Sequence, residues 1–286
     1  MKNLFKNSFC TFVITLLLST TGFSQGGGSK VFGKITSDGE PLIGASILIP
    51  IAIYRKKFGG AVLGFKYVAF YALMEMIGPW ILITTAEQKI NSGLAGLLVS
   101  TVPIFATIIT SLRGDHSVWQ FKRILGIVVG FIGLILVVGI ESLSGNSDPL
   151  SIAMVIVASM GYAYAVIMVT SNLPLVDGIA INGLAMAITT VFWAPVAIAQ
   201  WPSSISMNSA LSLIALGIFS TALAFILFFK VMAEIGPARS SLVTYLNTAI
   251  AVVLGVIILR EPLTVGIIVG LPLVLVGSYL ASRKTV

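Results

Sequence analysis

Eight apolar stretches, each about twenty residues long and spaced by short polar joints, dominate the chain and leave few ways for it to fold. They run at 67–85, 92–112, 124–140, 149–170, 178–200, 209–229, 240–259 and 263–281. As helices they come close to the roughly 30 Å of hydrocarbon in a bilayer. The joints carry helix breakers, as in SGNSDP at Ser144 to Pro149, WPSS at Trp201 to Ser204 and GPARS at Gly236 to Ser240. Consecutive helices joined so tightly pack antiparallel. Charged residues are 9% of the 286 and hydrophobic ones 57%, with a mean hydropathy of +1.05, so lipid is the main solvent. An outer-membrane barrel would instead need alternating strands of about ten residues. The expected fold class is therefore an all-α integral membrane protein.

The segments repeat. Ser240 to Thr264, SSLVTYLNTAIAVVLGVIILREPLT, overlays Ala95 to Val118, AGLLVSTVPIFATIITSLRGDHSV, at a shift of about 145 positions. This sets Leu97 under Leu242, Pro103 under Thr248 and Ala106 under Ala251, with Asp115 near Glu261. Gly126 and Gly133 are seven apart in the following segment, as are Gly270 and Gly277 after the second copy. Lysine and arginine give the orientation. After Pro50, one set of alternate loops holds eleven of them (Arg55, Lys56, Lys57, Lys66, Arg113, Lys122, Arg123, Lys230, Arg239, Arg283 and Lys284), and the other holds Lys89 and Arg260. The rich side is expected to be cytoplasmic, with the C-terminus on it. Loop 86–91 then lies outside while its counterpart 231–239 lies inside, so the copies are inverted, an arrangement that commonly places a solute site near the midplane.

The N-terminus has another grammar. Met1 to Gln25 carries Lys2 and Lys6, then an apolar run from Phe9 to Leu18, then small and polar residues, the pattern of a signal peptide or a short anchor. Gly26 to Ser29 reads as a flexible joint. VFGKITSDGEPLIGASILI, from Val31 to Ile49, alternates like a strand pair and resembles the start of the carboxypeptidase-regulatory-like module that opens many TonB-dependent outer-membrane receptors. It is too short for a sandwich, so an extended or poorly ordered segment is expected. Only Pro41 to Tyr54 is then left to cross before Arg55, fourteen residues or about 21 Å of helix.

From AEQKINSGLAGLLVSTVPIFATII through RILGIVVGFIGLILVV and GYAYAVIMV to EIGPARSSLVTYLNTAIAVVLGVIILREPLTVGIIVGLPLVLVG, the chain resembles the EamA branch of the drug/metabolite transporter superfamily, over about 51–286. The resemblance implies two five-helix inverted repeats and movement of a small organic solute. In that frame IAIYRKKF matches the end of the second helix, so the first helix and most of the second are expected to be missing and the chain reads as a chimera. The expected organisation is a signal-like segment 1–25, a receptor-like join 26–50, a truncated first repeat 51–143 and a second repeat 149–286.

Glu75 is the sole ionisable side chain deep in any of the eight segments. A carboxyl there faces a cavity, finds a partner or holds a proton. Functionally it reads as a proton-coupling or cation-binding acid, and structurally as a protonated glutamic acid hydrogen-bonded within the bundle. Tyr162, Tyr164, Asn182, Tyr245 and Asn247 put polar atoms inside apolar helices, as cavity lining or as interhelical bonds of about 0.6 to 2 kcal/mol each. The resemblance places Tyr245 and Asn247 on a cavity-lining helix, Pro103 at the matching kink of the first repeat and Tyr162 at an aromatic position opening the second. Trp80 and Trp193 lie deep enough for a cavity, whereas Trp119 and Trp201 suit the interfacial belt. The candidate solute site is thus Glu75, Trp80, Pro103, Tyr162, Asn182, Tyr245 and Asn247.

One cysteine, Cys10, and one histidine, His116, rule out disulfide frameworks and Cys/His metal or nucleophile sites. HExxH, G-x-S-x-G and phosphate-cradling glycine loops are absent, and the net charge of +7 is spread along helix ends rather than gathered in a nucleic-acid face. The reading is a multi-pass inner-membrane protein that exports a small organic metabolite or drug. It takes a solute and lipid as partners, no cofactor, no metal and no nucleic acid, with proton or cation coupling and homodimerisation left open. The alternatives are a bundle that does not transport and, from residues 1–49 alone, a receptor fragment.

Overall fold

The computed structural model describes residues 29–90, 92–138, 148–199, 207, 211, 214–243, 245–247, 249–250, 253 and 265–282. The signal-like segment, the joint at 26–28, half of the 240–259 run and the hinge at Arg260 and Glu261 lie outside the described residues. The described elements are helical: α1 (Ser29–Tyr54), α2 (Phe65–Ala86), α3 (Ser92–Val99), α4 (Val102–Leu112), α5 (Phe121–Val138), α6 (Pro149–Asn172), α7 (Gly178–Ala199), α8 (Leu216–Ile235) and α9 (Val265–Ser282). Five described helices are long and apolar enough to cross a bilayer, Phe65–Ala86, Leu94–Leu112, Pro149–Asn172, Gly178–Ala199 and Leu216–Ile235, with shorter apolar helices at Pro41–Tyr54 and Val265–Ala281. The chain is an all-α, multi-pass membrane protein. A spanning backbone must satisfy its own hydrogen bonds, which helices do within one segment.

Two starts are capped by aspartate. Asp148 accepts from the Ser151 backbone N–H at 3.0 Å and from its hydroxyl at 2.8 Å, ahead of Pro149 at the first helical position of α6. Asp177 Oδ1 accepts from the Ile179 N–H at 2.9 Å at the start of α7. Each also sits 3.5 Å from a lysine Nζ, Lys89 for Asp148 and Lys57 for Asp177. Both caps satisfy N–H groups that a helix start leaves unpaired.

Val31 to Ile49 is not extended: it belongs to α1, a single helix of 26 residues, about 39 Å long. The strand-like alternation lost because Ala45, Leu48 and Ala52, spaced three and four apart, are buried on one helix face, and a lone strand would leave its backbone unpaired. The helix also begins well before Pro41, although its apolar part is Pro41–Tyr54.

The chain divides into two compact units, Met1–Ile77 with Ser171–Val231, and Gly78–Thr170 with Met232–Val286. In the first, α1 packs along α7 and against the first half of α8, while α7 packs against the first half of α2. Small residues permit the approach: a Cβ on Gly183 would lie 3.2 Å from the Ile49 backbone nitrogen, and one on Gly217 would run into Ile43. At the repeat shift of about 145, Pro50 of α1 falls on Pro195 of α7, so α1 holds in the first repeat the place that α7 holds in the second.

In the second unit α5 lies along α9. Gly126 meets Gly277 and Ala281, and Gly133 meets Gly270. Since Gly126 corresponds to Gly270 and Gly133 to Gly277, these are the same contact made twice across an antiparallel crossing, as inverted copies require. The core there is Leu97, Ile127, Leu134, Leu242, Tyr245, Ala249, Val274 and Ala281. Two smaller clusters join α6 to the neighbouring helices, Val155 with Ala86, Ile90, Leu94 and Ala95, and Ala163 and Ile167 with Val102 and Ala106.

Candidate functional site

Glu75 sits in a widened, π-helical turn, Leu73–Ile77, inside α2. Pro79 follows: it has no N–H to give the preceding turn and its ring crowds the carbonyl four residues back, so the helix relaxes by widening. The counterpart helix does the same. In α8 the π-helical stretch is Leu216–Leu223, and the repeat shift carries 73–77 onto 218–222, within it. There the Thr221 hydroxyl donates to the Leu216 carbonyl five residues back, at 3.4 Å. Such turns are rare and concentrate at functional sites.

A polar seam runs beside Glu75 where α2 packs on α7. Tyr71, fully buried one turn before Glu75, donates its hydroxyl to Asn182 Oδ1 at 3.2 Å, and Asn182 Nδ2 donates to the Gly178 carbonyl at 3.0 Å. Further along, the Thr189 hydroxyl donates to the Ala185 carbonyl at 2.9 Å and lies 3.5 Å from the sulfur of Met76. Asn182, Thr189 and Trp193 are spaced seven and four apart, which puts them on one face of α7. Two polar atoms on these helices are enclosed and have no hydrogen-bond partner, Glu75 Oε2 on α2 and Trp193 Nε1 on α7. One is an acceptor and the other a donor, and a buried polar atom left in this way is costly.

The residues expected at the site thus divide. Glu75 and Asn182 belong to the first unit, while Trp80, Pro103, Tyr162, Tyr245 and Asn247 belong to the second. Trp80 is half-buried on α2, and its carbonyl accepts from the Thr84 hydroxyl at 2.6 Å. Pro103 is buried at the start of α4, and its carbonyl accepts from the Thr107 hydroxyl at 2.8 Å. Tyr162 is half-buried and packs on the cluster that holds Val102 and Ala106. Tyr245 is fully buried, lies over Gly130 and donates to the Ile127 carbonyl at 3.3 Å. Asn247, two residues on, is exposed.

Sequence reasoning passed over Tyr71 and Thr189, and left Trp193 outside the candidate set. Tyr71 lies near the start of an apolar run, where a tyrosine reads as an interfacial anchor. The available signal was its spacing of four from Glu75, which sets both on one helix face.

Comparisons with known proteins agree with this architecture. The EamA-like transporter family matches residues 40–139 and 149–283, so the match begins inside α1, in the stretch that reads as receptor-like. The uncharacterized transporter YoaV of Bacillus subtilis strain 168 is 26% identical over 82% of this chain and 81% of its own length. The uncharacterized inner membrane transporter YedA of Escherichia coli K12 is 27% identical over 75% of this chain and 72% of its own. A solved crystal structure superposes with a TM-score of 0.77, covering 96% of both chains at 15% identity, a likeness of fold alone. With two matched segments covering most of the sequence, the chain belongs to the EamA-like transporter family.

Proposed function

We propose that this protein exports a small organic solute across the inner membrane, with the seam between α2 and α7 as part of the solute path and Glu75 as the acid that exchanges a proton or cation during transport. The observation that carries the reading is the Glu75 carboxyl: it is held mid-helix in a π-helical turn, with Oε2 enclosed and unpartnered. An ionisable group so placed in a membrane helix marks a substrate or ion path by default. The unpartnered Trp193 Nε1 on the facing helix supports it, since a polar solute passing there would meet a donor and an acceptor. Matched π-helical turns support a moving element in each repeat, because a widened turn has a looser hydrogen-bond ladder than the helix around it. The transporter names of the relatives, one of them an inner membrane protein, agree with it.

Asn182 and Tyr71 hold the seam in register. Trp80, Pro103, Tyr162, Tyr245 and Asn247, all in the second unit, are proposed as further solute-contacting residues. The basic loops, with the C-terminus, are proposed to face the cytoplasm.

The test is a comparison of small molecules released by cells that express the protein or its Glu75→Gln variant at equal membrane levels. Export predicts at least one solute enriched outside with the native chain and reduced with the variant. Identical profiles for the native chain and for cells without it would overturn the reading and favour a bundle that does not transport.

A further inference from the structure

The seam of the first unit holds an acid, a neutral donor and, among the described residues, no base. Glu75 Oε2 and Trp193 Nε1 are both enclosed without a hydrogen-bond partner. Their helices meet beside them: the Thr189 hydroxyl, one turn before Trp193, lies 3.5 Å from the sulfur of Met76, the neighbour of Glu75. Thr189 already gives its hydrogen to the Ala185 carbonyl and Tyr71 gives its own to Asn182, so neither is left to donate to the carboxyl. The basic side chains of this unit whose surroundings are described, Arg55, Lys56, Lys57, Lys66 and Lys230, are all exposed. Lys57 is paired with Asp177, and Lys66 lies over the ring of Tyr67 at 4.8 Å. Neither ion pair among the described residues includes Glu75. Aromatic rings supply the rest of the setting. Tyr71, one turn before Glu75, meets Phe229 edge to face at 6.5 Å between ring centres, and Phe192 meets Trp193 in the same way at 5.4 Å.

We propose that the seam selects small organic amines: solutes with one ammonium group, which binds Glu75, a neutral oxygen, which accepts from the Trp193 N–H, and no carboxylate. The inference rests on the reading of the seam as a solute path and adds the class of solute. A solute carboxylate would enter beside Glu75 with no cation to meet it, and a buried charge left in that way is strongly unfavourable. An ammonium answers the acid and lies among rings whose faces attract a cation. A bare metal ion matches less well, since it takes about six oxygen ligands and no three acids or histidines gather among the described residues. A proton alone would leave Trp193 Nε1 unmet. The seam is closed over both atoms in this structure, and the looser ladder of the π-helical turn lets it open to the solute.

The experiment titrates the full chain in lipid nanodiscs by calorimetry, with empty nanodiscs as the blank. Two sets of probes are used: tyramine, tyrosine and 4-ethylphenol, then 5-amino-1-pentanol, 5-aminopentanoate and 1-pentanol. In each set the first bears an ammonium group, the second an ammonium and a carboxylate, and the third neither. In at least one set the amine is expected to bind roughly ten-fold tighter than the other two, the effect of one charge-assisted hydrogen bond. Glu75→Gln should remove that preference, and Trp193→Phe should weaken the amine about five-fold while keeping the order of the three. Absence of the preference from both sets would overturn the proposal, and this is read on the native chain, whatever the variants do. A preference that survives Glu75→Gln would overturn it as well. Export that depends on Glu75 but moves a solute bearing a carboxylate would sink amine selection and leave the export reading standing. Amine binding at Glu75 in a chain that exports nothing would do the reverse.

Discussion

Gly133 and Gly270 face each other across the crossing of α5 and α9 so closely that a Cβ built on Gly133 would lie 2.7 Å from the Gly270 carbonyl oxygen, and one built on Gly270 would lie 2.5 Å from the Gly133 carbonyl oxygen. The contact reads nearly the same from either side, and its counterpart in the inverted arrangement, Gly126 against Gly277, repeats it. Neither atom can give way cheaply, because both belong to helix backbone. Gly133→Leu is expected to destabilise the protein by about 1 to 3 kcal/mol through overpacking. Gly96→Ala has open space around its Cβ and should be neutral or slightly stabilising. Thermal unfolding of the two variants in one detergent checks the contrast, and equal stability would show that α5 and α9 do not meet at these glycines.

The Tyr71 to Asn182 hydrogen bond joins α2 to α7 inside the first unit. Tyr71→Phe removes the donor and leaves Asn182 Oδ1 without it, at an expected cost of about 0.6 to 2 kcal/mol. If the seam is a solute path as well as a joint, the same variant should lower the export rate more than its stability loss explains. Rate and thermal midpoint measured on one preparation separate the two, and a fall in rate that merely tracks stability would return the pair to a packing role.

Asp148 carries a pH-dependent part of stability. Hydrogen bonds from the Ser151 side chain and backbone, followed by the charge of Lys89, hold its carboxyl below the ordinary aspartate range. A group depressed in the folded state contributes stability that is present above its unfolded value, about 4, and is lost as pH falls through the lower folded value. The thermal midpoint should therefore drop on acidification below about pH 4, and Asp148→Asn, which keeps an acceptor for the cap but no charge, should lose that component of the drop. Melting curves from pH 3 to 7 for both proteins test it, and parallel profiles would show that Asp148 contributes nothing through its charge.

Much of this architecture was legible in the sequence, for a physical reason. Glycines seven apart mark two turns of one helix face, and the same spacing in both copies marked the repeat, whereas the meeting of the two faces in the crossing of α5 and α9 is seen only in the folded chain. The charge count and the shift of about 145 disclosed the repeats. The stretch from Val31 to Ile49 misled because Gly39 and Pro41 punctuate it like a turn and its side chains alternate, whereas its neighbours α7 and α8 decide that it is helical. Tertiary packing in an apolar medium overrides local propensity, and no local window contains that information. Glu75 stood out as an isolated charge. The π-helical turn that presents it was not legible, since Pro79 permits several ways of relaxing the helix and only the folded chain selects one.

The apolar part of α1 is Pro41–Tyr54, about 21 Å of helix, so α1 crosses with a modest mismatch that local thinning of the bilayer meets. With Arg55, Lys56 and Lys57 on the cytoplasmic side, Ser29 should then lie outside. In a background lacking Cys10, Ser29→Cys is expected to react with a membrane-impermeant thiol reagent in intact spheroplasts. Protection until lysis would place residues 1 to 57 on one side and contradict the crossing.

Coupled export at Glu75 is tested most directly in proteoliposomes loaded with a bacterial metabolite extract, with efflux followed by mass spectrometry across a series of external pH values. The account predicts that the native chain releases at least one small organic solute faster than protein-free vesicles, at a rate that changes with pH, and that Glu75→Gln abolishes or flattens that dependence. An unchanged pH profile in Glu75→Gln would contradict coupling at this residue, and no solute released above the protein-free rate at any pH would contradict transport itself.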